Sequence, residues 1–70
     1  MVDLHAHPLR FARRRERFTL RQLAVVVGLN FRRINAIEQG ARPSQIEARL
    51  LAAALRIPLR ELIDVEAVPR

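Results

Sequence analysis

The stretch TLRQLAVVVGLNFRRINAIEQG, from Thr19 to Gly40, constrains the fold more than any other part of the chain. It spells two short amphipathic helices meeting at a tight turn. Thr19 is a good N-cap for the first, and Gln22, three residues on, completes a capping box that satisfies backbone N–H groups left unpaired at a helix start. Gly28 ends this helix, because glycine enters the left-handed conformation without a Cβ clash. Asn30 caps the second helix and Gly40 closes it. Ala24 contributes little bulk where the two helices must cross closely. Leu23, Val27, Ile34 and Ile37 then face one another, while arginine and amide side chains between Asn30 and Asn35 turn away from that core. The run Val25–Val27 looks like strand material, but β-branched residues lower helix propensity by only about a few tenths of a kcal/mol each, so the cap and the glycine outweigh them.

Three further helices can be read around this pair, and no strand is required. Pro8 opens the first, over roughly residues 8–16, with Leu9, Ala12 and Phe11 inward and Arg10, Arg14, Arg15 and Arg17 outward. Ser44 caps a fourth helix to about Arg56, whose predicted buried stripe is Ile46, Leu50, Leu51, Ala54 and Leu55. Pro58 starts a short fifth helix with Leu59, Leu62 and Ile63 on its apolar edge. The expectation is a compact all-α, five-helix domain over residues 8–64, preceded by a flexible arm, 1–7, and followed by a loose tail, 65–70.

A chain of 70 residues is one domain, near the size at which only about 60% of the unfolded surface is buried. It has no cysteine, which removes disulfides, thiolate metal sites and thiol catalysis, and fits a reducing compartment such as the cytoplasm. Its apolar runs fall far short of the ~20 residues of a membrane span, and the N-terminus lacks the apolar region of a secretory signal. Thirteen basic residues against seven acidic give a net charge of +6, which attracts a polyanion such as nucleic acid or an acidic membrane surface. Every basic residue is arginine, whose planar fork suits phosphate and guanine. A lysine-free chain rich in alanine and valine is also what a GC-rich coding sequence produces, so the missing lysines carry no weight. The Arg10–Arg17 cluster admits three readings, a solvated helix face, a sugar-phosphate contact or an acidic-lipid contact, with Arg14 and Arg15 read as solvated because Glu16 breaks the patch. His5 and His7 form an HxH pair without a third ligand at sensible spacing, so they read as part of the terminal arm, with no metal and no cofactor expected. With no nucleophile, paired acid and base, or glycine-rich phosphate loop, an enzyme is not expected.

The order of these elements and their residues resembles the Cro/repressor-type helix-turn-helix family, also called the XRE family, over about Leu9 to Ile63. The resemblance rests on Arg13, on Thr19 to Ala24, on Gly28 and Leu29, and on Ile34, Asn35, Ala36, Ile37, Glu38, Gln39 and Gly40. Arg42, Pro43 and Ser44 resemble the family's loop, and Leu51, Ala52, Ala54, Leu55, Ile57, Pro58, Leu59 and Leu62 its closing segment. It implies a lambda-repressor-like fold whose third helix enters the major groove of double-stranded DNA N-terminus first. Phe31, Arg32, Asn35 and Ala36 then stand at the base-reading positions. Arg32 suits guanine, Asn35 adenine, and Ala36 leaves room for a thymine methyl. Phe31 is open between a thymine-methyl contact and packing against the helix that Thr19 caps. Arg21, Gln22, Arg33 and Arg42 are the expected phosphate ligands, the first two because Leu20 stands where the family commonly has glutamine. A half-buried Glu38 needs a neutralising partner, and the resemblance implies Arg13, a structural pair, against the alternative of a solvated helix-end charge. Arg17 stands where relatives carry a turn glycine, at a steric cost if φ there is positive.

The reading that follows is a sequence-specific transcriptional regulator, a repressor working as a homodimer on a near-palindromic operator, its recognition helices about 34 Å apart. Ile57, Leu59 and Ile63 are the expected dimer surface. No effector domain is expected, so occupancy would follow protein concentration. The alternative is an antitoxin or protein-binding adaptor on the same fold, with a protein partner on the fifth helix or tail.

Overall fold

The computed structural model describes residues 7–63. They form α1 (Pro8–Arg15), α2 (Leu20–Val27), α3 (Phe31–Glu38) and α4 (Gln45–Leu55), followed by a single 3-10 turn, Leu59–Glu61. The expected fifth helix is therefore a correction: it is three residues of 3-10 turn, with no side chain capping its start and with i to i+3 bonds from Glu61 to Pro58 and Leu62 to Leu59. Without a cap or the length to close several i to i+4 bonds, this segment does not propagate as an α-helix. His5, most of the expected N-terminal arm and the tail 65–70 lie outside the described residues.

Local chemistry sets each boundary. The Thr19–Gln22 and Ser44–Glu47 capping boxes are both closed, at 3.0 and 2.9 Å for the first and 3.1 and 2.8 Å for the second. Asn30 Oδ1 accepts from the backbone N–H of Arg32 at 2.8 Å. His7, expected in the arm, caps α1 instead: its Nδ1 accepts from the backbone N–H of Leu9 at 3.0 Å. Burial of the ring lowers the His7 pKa below its ordinary value, and Arg10 adds to this while Glu38 opposes it. Gly28 ends α2 with φ of 73°. Arg17 (φ 61°) and Arg56 (φ 58°) make the same left-handed turn after α1 and α4 without glycine's freedom.

Leu9, Ala12, Leu23, Val27, Ile34, Ile37, Ala48, Leu51, Ala52, Leu55 and Leu62 form the core. α2 packs on α3 and α4, and α1 also packs on α3 and α4. Three expected core residues are corrected. Phe11 is 59% exposed, Ile46 72% and Leu50 40%. The reason is angular: at 100° per residue Ala48, Leu51, Ala52 and Leu55 share one face of α4, while Ile46 and Leu50 lie opposite. The buried alanines let α4 approach its neighbours closely.

Candidate nucleic-acid interface

α3 is two-sided. Ile34, Ile37 and Glu38 are buried, whereas Arg32 and Asn35 are exposed and Phe31 and Ala36 are half-buried. Gln39, which caps the end of α3, is exposed on the same side as Arg32 and Asn35 by helical angle, and was missed as a further polar group of this face. The side chain of Arg21, from the first turn of α2, reaches the Phe31 ring at the start of α3. The Arg21 guanidinium carbon sits 4.3 Å from the centroid of the Phe31 ring, and that of Arg32 5.7 Å. Beside them runs an open groove of about 360 Å3 lined by Arg21, Ala24, Val25, Gly28, Leu29, Asn30 and Phe31.

The buried side of α3 is tied to α1 by charge. Glu38, with a side chain only 1% exposed, accepts from Arg13 Nε at 2.6 Å and Arg13 Nη2 at 3.1 Å. Arg13 Nη1 donates to the carbonyl of Phe18 at 2.9 Å, so one guanidinium joins the α1–α2 turn to α3. Arg10 adds a third donor at 3.2 Å that sequence reasoning missed. Its position one turn before Arg13 was the available signal.

Arg33, expected on phosphate, is engaged elsewhere. Its Nε and Nη2 donate to Glu47 at 2.7 and 2.8 Å, and Nη2 also to the carbonyl of Arg42 at 2.9 Å. This latch joins α3, the following loop and the start of α4. The Arg33 hydrogen bond, reinforced by the Ser44 backbone N–H, pulls the Glu47 carboxyl down to about 2, and the same bond raises the pKa of Arg33. Arg15, read as solvated, donates from Nη2 to the carbonyl of Leu55 at 3.0 Å, where a cation complements the end of α4.

Gln22 uses its side-chain oxygen in the α2 cap, and Arg42 is exposed in the loop after α3. Leu20, Ile57, Leu59 and Ile63 are half-buried and pack against the core. The large apolar side chains most open to solvent among the described residues are Val25, Ile46, Phe11 and Val26. No described helix is long and apolar enough to cross a membrane.

A family model described as Helix-turn-helix matches residues 9–62. No curated protein and no solved structure matches the chain. The match spans all four α-helices almost entirely, and its middle is the capped α2–Gly28–α3 pair whose outer side carries Arg21, Arg32 and Asn35. The chain belongs to the Cro/XRE-type helix-turn-helix family.

Proposed function

We propose that this protein is a sequence-specific, double-stranded DNA-binding transcriptional regulator, a repressor, that acts as a homodimer on a near-palindromic operator. The observation that carries the reading is the two-sidedness of α3: a helix held on one side by Ile34, Ile37 and Glu38 leaves Arg32 and Asn35 exposed on the other. Arg32 reads guanine, Asn35 adenine, and Ala36 admits a thymine methyl. Arg21, the amide nitrogen of Gln22 and Arg42 hold phosphates, and the net charge of +6 supplies long-range attraction. Arg33 acts as a latch and not as a phosphate ligand, because Glu47 already takes its guanidinium. The second copy docks on Ile57, Leu59 and Ile63, and two modules supply the interface that one small module lacks. Its proposed place of action is the cytoplasm.

A second reading, an antitoxin or adaptor with a protein partner, draws on Ile46 and Leu50, exposed one turn apart on α4. Selection of binding sites from randomised duplexes, followed by titration across a salt series, separates the two. A regulator enriches a near-palindromic motif and shows a steep fall of affinity with salt. Equal affinity for selected and random duplex, with little salt dependence, defeats the regulator reading.

A further inference from the structure

We propose that Phe31 is a specificity-determining positioning residue, whose ring orients the guanidinium groups of Arg21 and Arg32 toward DNA without consuming their donors. The inference rests on the DNA-binding reading and deepens it. Five arginines on and around α3 are held in two ways. Arg10 and Arg13 are held by Glu38, and Arg33 by Glu47, through the N–H groups a phosphate or a guanine would need. Arg21 and Arg32 instead lie over the Phe31 ring, at 4.3 and 5.7 Å from its centroid. A cation drawn to a ring face spends no N–H donor on an acceptor, so the donors of Arg21 and Arg32 stay available for DNA.

Placement supports the same role. Phe31 is the first residue of α3, fixed by the Asn30 cap beside it, and Arg21 comes from the first turn of α2. One ring therefore couples a phosphate-side arginine on one helix to a base-side arginine on the other. Gathering two cations around one ring costs Coulomb energy that the π face offsets in part, and a polyanion relieves the remainder. The half-buried ring also forms one wall of the groove that Arg21, Val25 and Leu29 line. Neither the thymine-methyl contact nor simple packing requires a ring here, since leucine supplies apolar bulk for both. The cation–π contact does require one.

The test compares the full chain with Phe31→Leu and Phe31→Tyr. In the free protein, the Nε–Hε resonances of Arg21 and Arg32 carry ring-current shifts that Phe31→Leu abolishes and Phe31→Tyr retains, a readout independent of DNA. On a selected duplex, Phe31→Leu weakens binding about tenfold and narrows the gap to random duplex, with thermal stability near that of the wild type, and Phe31→Tyr restores both. Absent ring-current shifts overturn the proposal even when the chain binds DNA. A wild-type chain that fails to discriminate duplexes while showing those shifts overturns the DNA-binding reading, and with it the role in specificity. Uracil in place of thymine provides a third arm. If one such replacement weakens the wild type and Phe31→Ala removes the difference, Phe31 is a direct methyl reader and the proposal is wrong.

Discussion

Two arginine–glutamate sites flank α3, and they differ in almost everything except chemistry. At Glu38 the carboxylate is 1% exposed and Arg13 11%, with Arg10 as a second donor; at Glu47 the exposures are 16% for the acid and 39% for Arg33. The first lies inside the fold, where an unpaired carboxylate would be costly. The second lies at the surface, where water and salt screen the attraction and the carboxylate also serves as a helix cap. The contrast shows why losing one partner is costly at the buried pair, whereas the surface pair is a latch that sets how the loop and α4 meet α3.

The largest expected effect breaks the buried site. Arg13→Ala leaves Glu38 with Arg10 alone and should cost about 3 kcal/mol in urea unfolding, whereas the double change Arg13→Met with Glu38→Leu should recover much of that loss. Next comes the cap that shares Glu47: Ser44→Ala should cost about 1 kcal/mol. Arg33→Met should cost less than Arg13→Met, and its effect should shrink in 1 M salt while that of Arg13→Met persists.

Acid titration sharpens the comparison. Glu47 falls from its ordinary 4.5 to about 2, so the folded state gains from its ionisation above pH 4.5, and this gain is lost as pH falls toward 2. Unfolding measured between pH 5 and 2 should therefore show a steeper decline for the wild type than for Arg33→Met. His7 titrates at higher pH. Its folded value lies below the ordinary 6.5, so the capping contribution is complete above pH 6.5 and is lost as pH falls through the lowered value. In His7→Asn, which caps without titrating, that part of the decline should vanish. The smallest effect belongs to the turn braced by Arg13: Arg17→Gly should raise stability by about 0.5–1 kcal/mol, because φ of 61° strains a residue with a Cβ.

What could be read from the sequence was local. Thr19 with Gln22, Asn30, Ser44 and the glycines at 28 and 40 act within a few residues of themselves, so the four α-helices followed from side-chain chemistry and periodicity. Glu38 was legible as an acid in need of a partner, and the family resemblance implied Arg13. Less was legible where position in space decides. Ile46 and Leu50 looked like core by size, yet the angle of α4 buries Ala48 and Ala52 instead. The Arg33–Glu47 latch spans a loop, and Arg56 takes a left-handed turn with no glycine to signal it. Within the candidate site, residue types on α3 were readable, but the cation–π contact of Arg21 with Phe31 depends on how α2 meets α3.

The assignment of α3 as the DNA reader stands or falls on a paired affinity measurement. Wild type, Arg32→Ala and Arg42→Ala would be titrated on the selected duplex and on each single base-pair variant, at two salt concentrations. Arg32→Ala should cost about 1–3 kcal/mol and flatten the preference at one base pair, while Arg42→Ala should weaken every duplex alike and lower the salt slope by about one. Uniform, equal losses from both substitutions would contradict a base-reading role for Arg32.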